Sequence, residues 1–165
     1  MRSALKLAKP ESLTLETIFE HIKLPRTRLV VMSACETGLV DPGDLAAEYV
    51  GLPAGFVMAG VPSVVSSLWA VDDMSTALLM ERFYANHEDG MALPAALRAA
   101  QFWLRDVPAG ELAARFEAER RKPKHERSMP YEQVSAAWQR FNSLQPDERP
   151  FAHPVYWAAF TFSDV

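Results

Sequence analysis

The amino-acid sequence predicts an α/β domain: a mostly parallel sheet flanked by helices. Three observations carry that expectation. Runs near 28–33, 62–69 and 155–162 are apolar almost without interruption and rich in Val, Phe and Trp, the pattern of strands covered on both faces by helices. The longer stretches between them place apolar residues at helical spacing. Strand, helix, strand, helices, strand is then the order of an α/β chain with crossover connections.

Each element has its own local reason. Ser3 to Leu7 (SALKL) alternates as a short strand and is ended by Lys9-Pro10. Ser12-Leu13-Thr14 offers capping hydroxyls to a helix over 15–23, with Leu15, Ile18 and Ile22 on one face and Pro25 as its stop. Glu36 to Asp44 carries Gly38, Pro42 and Gly43 and reads as a loop. Residues 44–59 read as two helical pieces broken around Gly51-Leu52-Pro53, with Pro53 in a first turn and Gly60 at the end. Asp72 and Asp73 cap a helix to about Asn86, whose apolar stripe is Leu79 and Phe83 with Ala77, Met80 and Tyr84; Gly90 terminates it. Leu93, Leu97, Ala100 and Leu104 define an amphipathic helix ending near Val107. The segment 108–150 differs in composition and is expected as a charged helical insertion: Leu112 and Phe116 mark one piece, and Tyr131, Val134, Trp138 and Phe141 another, with Arg120 to Arg127 between them.

Composition narrows the function. The 165 residues are one domain's worth, 49% of them hydrophobic, which excludes disorder. A net charge of −4 supplies no general field for nucleic acid, and the basic run 120–127 reads as a solvated turn. No apolar run approaches a membrane span and no signal sequence is present, so the expected location is cytoplasmic, with no membrane partner. A single cysteine and four scattered histidines give no disulfide and no metal site, and no cofactor is expected.

That cysteine, Cys35, follows directly on the apolar strand 28–33. The carboxyl ends of parallel strands are where α/β sheets bind ligands, and Ser33 and Ala34 leave room for an approaching backbone. On pattern alone, a lone cysteine beside an apolar strand is more often a buried, inert side chain. The acids Asp72 and Asp73 and the indole of Trp69 follow the neighbouring strand. They either line a pocket there, or cap and pack.

Ser33-Ala34-Cys35-Glu36-Thr37-Gly38, preceded by Leu29-Val30-Val31-Met32, resembles the cysteine motif of CHAT domains, caspase-like modules found in bacteria beside tetratricopeptide repeats. The likeness continues through Leu52 to Gly60, Ser66 to Asp73, Phe83-Tyr84, Ala96 to Gln101 and His153 to Phe160. It implies a partial caspase-like fold over 1–165. In active members it implies a Cys–His dyad that hydrolyses peptide bonds, with Cys35 as nucleophile here. It also implies that Asp72, Asp73 and Trp69 line the pocket for an Arg or Lys before the scissile bond. The family's histidine stands in a His-Gly motif on a strand ahead of the SALKL-like segment, and this chain has none there. His21 lies on a helix next to Glu20, outside such a motif. The expectation is therefore a CHAT-like domain without its histidine-bearing part, inactive alone, or else a pseudo-peptidase retained for binding or regulation. Its partners are expected to be a protein or peptide, tetratricopeptide repeats, or an N-terminal half on another chain. Self-association through the open strand 28–33 is expected as well.

Overall fold

A computed structural model describes residues 4–6, 12–32 and 52–164. The chain opens with a small antiparallel hairpin, β1 (Ala4–Lys6) on β2 (Ser12–Thr14), with Leu5 opposite Leu13. The sequence shows the first of these strands, but its partner was read only as a source of capping groups. Both roles hold for Thr14: it ends β2, and its hydroxyl accepts the Thr17 N–H at 3.1 Å to start α1 (Leu15–His21).

Among the described residues the main sheet has three strands in the order β3 (Val30–Met32), β4 (Ser63–Ser67), β5 (Phe160–Asp164). Val30 to Met32 pair in parallel with Val64 to Ser66, whereas β5 runs antiparallel to β4, from Ser63 opposite Asp164 to Ser67 opposite Phe160. The sheet is thus mixed, and the expectation of a mostly parallel one is corrected. The strand bounds shift too: the strand expected from 28 starts at Val30, and 62–69 contracts to 63–67. The run expected as a strand over 155–162 divides into a short helix, α7 (Pro154–Trp157), and β5. His153 explains the division. Its Nδ1 accepts the Val155 N–H at 3.2 Å while Pro154 takes the first helical position, a start signal that overrides the strand preference of Val, Tyr and Trp.

Consecutive residues of β4 point to opposite faces, and each face has its own core. Val64, with Met32 and Val30, packs under α1 and α2 (Leu52–Met58) together with Ile18, Leu52 and Phe56. The two helices approach closely at Gly55, where a Cβ would stand 2.6 Å from Leu15 Cδ1. Val65 faces the larger core, with Phe160 and side chains of α3 (Asp73–Glu88), α4 (Leu93–Asp106), α5 (Ala109–Arg121) and α6 (Tyr131–Asn142). On β5, Phe160 and Phe162 turn to this helical side, and Thr161 meets Ser66 on the other at 3.3 Å between hydroxyls.

The helices largely follow their sequence signals. In α4, Leu97, Ala100 and Leu104 are buried and Leu93 half-buried, and Val107 closes the helix through its N–H to Trp103 O. In α5 and α6, Leu112, Phe116, Val134 and Phe141 enter the same core, with Phe116 stacked on Phe141 at 5.7 Å. Tyr131, expected on that stripe, is exposed under the Arg127 guanidinium. In α3 the stripe is rotated: Leu78, Leu79 and Phe83 are buried, while Ala77 and Tyr84 face solvent. Asn86 is buried instead, its amide donating to Ala96 O at 3.2 Å and tying α3 to α4. Gly90 takes the left-handed conformation (φ +95°) that turns the chain between them.

Candidate functional site at the carboxyl end of the sheet

Because β3 and β4 are parallel and in register, Met32 and Ser66 lie side by side, and the chain leaves both strands at the same end of the sheet. Cys35 follows Met32 by three positions in the chain and lies outside the described residues, as do Glu36, the loop to Asp44 and the expected helical piece after it. What the structure describes is the wall built by the β4–α3 connection. Leu68 N–H donates to Ala159 O at 2.8 Å, and the indole N–H of Trp69 donates to Val155 O at 2.9 Å. These two bonds clamp the connection to α7 and the start of β5, so half-buried Trp69 is held by its polar edge while its rings pack against the larger core.

The two acids have separate positions. Asp72 is the N-cap of α3: its Oδ1 accepts the Ser75 N–H at 2.9 Å, and Ser75 Oγ donates back to Asp72 O at 2.9 Å. That pair satisfies a helix-start donor, and Ser75 is fully buried beneath it. Asp73 stands in the first turn, exposed, with no hydrogen bond or ion pair among the described residues. Its carboxylate is free to meet a cation, although the positive helix N-terminus beside it offsets part of its negative field.

The histidines are elsewhere. His21 is exposed at the end of α1, 3.6 Å from Glu20. His87 shares a 2.9 Å hydrogen bond with Met91 O, His125 stands 3.3 Å from Glu126, and His153 caps α7. All four are exposed and each is engaged locally. No cluster of metal-ligating side chains occurs among the described residues, and no helix there is long and apolar enough to cross a membrane.

A family model for the CHAT domain matches residues 1–164. The chain belongs to the CHAT domain family. No curated protein and no solved structure matches it. Within this CHAT domain, the shared segments quoted from the sequence fall on structural joints. Gln101, the last residue of the Ala96–Gln101 stretch, donates from Nε2 to Phe160 O at 2.8 Å and fixes α4 to the start of β5. The His153–Phe160 stretch is the cap of α7 with its turn into β5. These supporting roles were not assigned from sequence, where a glutamine on an amphipathic helix carries no sign of the carbonyl it will meet.

A separate cavity of about 360 Å³ opens between α3, α5 and the segment 122–129, with Met74, Leu78, Phe116 and Met129 among its apolar lining. Arg115 pairs with Glu81 at its edge. Glu119 also lines it, accepting from Lys122 Nζ at 2.5 Å and from the Ser128 N–H at 2.5 Å. Those two partners, Lys122 first, hold the Glu119 carboxyl down at about 2. Neither Trp69, Asp72 nor Asp73 reaches this cavity. The first three cations of the basic run beside it are paired in place: Arg120 and Arg121 with Glu117, and Lys122 with Glu119.

Proposed function

We propose that this chain carries the nucleophile half of a caspase-like cysteine endopeptidase site. Cys35 is the attacking group, and Asp73 and Trp69, with Asp72 behind them, shape the pocket for a basic residue before the scissile bond. The observation that supports it most is the parallel pairing of β3 and β4. It sets the strand end preceding Cys35 next to the strand end that leads to Trp69 and Asp73. In such a reaction the thiolate adds to the carbonyl carbon, the peptide C–N bond breaks with a proton delivered to the leaving amine, and water releases the acyl group from sulfur.

The proton transfers need a base, and the histidines of the described residues are engaged elsewhere. An unactivated thiol, with a pKa of about 8.5, is only a few per cent thiolate at neutral pH. All four histidines are exposed and occupied with neighbours. The chain by itself therefore turns over no peptide, and a histidine from another segment or polypeptide completes the dyad. The same observation favours a second reading, a non-catalytic cytoplasmic module that binds a partner such as a repeat protein.

Fluorogenic peptides with Arg or Lys before the cleavable bond test the first reading. The expected result is no turnover by this chain alone. Alkylation of Cys35 should proceed under native conditions, with a rate that rises with pH as for an ordinary thiol. Turnover abolished by Cys35→Ala but kept by His21→Ala would mean that another base is present. A Cys35 protected until denaturant is added removes the peptidase reading and leaves the binding module.

A further inference from the structure

We infer that the outward face of α4, together with α7, is a docking surface for an acidic polypeptide segment. Arg98, Phe102 and Arg105 recur at helical spacing and form one line along α4. The Phe102 ring lies beneath two guanidinium groups, Arg98 at 5.4 Å and Arg105 at 4.8 Å from its centroid. Trp157 of α7 meets the same ring edge-on at 6.4 Å, and Arg105 also covers Trp157 at 5.8 Å. Despite this crowding the surface is open: Phe102 is 39% exposed and Val155 of α7 40%.

Charge selects the occupant. Arg105 pairs with Asp106 at 2.7 Å, and Arg149 reaches the same carboxylate at 3.2 Å. Arg98 has no carboxylate partner among the described residues. Arg105 and Arg149 thus share one carboxylate and Arg98 has none, on a chain whose net charge is −4. In the basic run 120–127, by contrast, Arg120, Arg121 and Lys122 are each matched by an acid of α5. Arginine over exposed aromatic rings is the composition of binding hot spots, and its planar fork suits carboxylates presented between apolar side chains. Trp69 bonded to Val155 O and Gln101 bonded to Phe160 O set this ledge against the carboxyl end of the sheet. The inference does not depend on Cys35 acting as a nucleophile.

Anisotropy titration of the full chain with a labelled peptide alternating glutamate and leucine tests the surface. Counterparts carrying glutamine or lysine in place of glutamate, and a labelled single-stranded DNA, complete the set. The acidic peptide should bind, and Arg98→Glu and Phe102→Ala should each weaken it about tenfold with unchanged thermal melts. Lys124→Glu, on the exposed turn beyond α5, should leave affinity unaltered. The proposal is overturned by the absence of binding, by equal affinity for the glutamine peptide, or by insensitivity to Arg98→Glu. It is overturned as well by tighter binding of the DNA, or by a dimer in sedimentation that Phe102→Ala dissolves.

Discussion

Replacing Asp72 separates helix capping from charge recognition at the sheet end. Asp72→Ala removes the acceptor of the 2.9 Å bond from Ser75 N–H and strips a helix-start donor of its partner above the fully buried Ser75. Losing such a cap costs about 1 kcal/mol, within a range of roughly 0.5–2. In a domain of this length, about 1 kcal/mol lowers the melting temperature by roughly 2–4 °C. Asp72→Asn keeps an equally good capping oxygen and forfeits only the charge near the helix terminus, a few tenths of a kcal/mol at an exposed position. The two variants, compared by urea denaturation and thermal melting followed by circular dichroism, should therefore differ. Alanine should be clearly destabilised and asparagine close to the parent. Fraying of the first turn should also displace Asp73, so any affinity for Arg- or Lys-containing peptides should fall in Asp72→Ala even though Asp73 is intact. If alanine and asparagine are equally stable, the cap carries no energy. If asparagine alone abolishes binding of basic peptides at unchanged stability, Asp72 is a specificity residue and the division of labour drawn between the two acids is wrong.

Three further outcomes are expected. Gly55→Val should destabilise by about 1–3 kcal/mol in urea titration, because its Cβ would stand 2.6 Å from Leu15 Cδ1 and both Leu15 and Ile18 are too enclosed to yield. Phe141→Ala, which removes a buried ring stacked on Phe116 and edge-on to Phe151 at 5.9 Å, should cost roughly 3–5 kcal/mol. Glu119 is held down at about 2 in the fold, so its contribution to stability is complete above about 4.5 and is lost as pH falls from there toward 2. Glu119→Gln should flatten that part of the acid unfolding profile and leave the neutral-to-alkaline limb unchanged.

Much of the helical architecture is legible in the sequence because its signals are local. Thr14, Asp72 and Gly90 act where their side chains, or lack of one, predict. The spacing of Leu97, Ala100 and Leu104 needs only the helix to be meaningful. Strand direction is different in kind. An apolar run announces burial, and β3 and β4 were read correctly as buried-sheet strands, but nothing in burial says which way a third strand runs. The alternation of β5 itself, Phe-Thr-Phe-Ser, carried the information, since a strand with one polar face is characteristic of antiparallel pairing. It was masked by the Val-Tyr-Trp stretch ahead of it, which His153 and Pro154 turn into a helix. At the candidate site, Trp69 and Asp72 could be placed at a strand end. Their partners, Val155 O and Ser75 N–H, could not both be foreseen: the second is three residues away and follows from the cap, while the first is 86 residues away and follows only from the fold.

The alternation of Val64 and Val65 has a mechanical meaning. Adjacent residues of one strand anchor two interiors of unequal size. The set around α3 to α6 is the more extensive among the described residues, and the set under α1 and α2 the smaller. Stability in such a molecule is layered: the smaller interior can loosen while the larger one, sharing β3 and β4 with it, remains intact. The strand that leads to Cys35 is divided in the same way: Val30 and Met32 belong to the smaller interior, while Val31 packs against the larger one. The division between the two interiors is the sheet itself. Loosening of the α1–α2 layer would thereby release one face of β3 while Val31 keeps the other anchored.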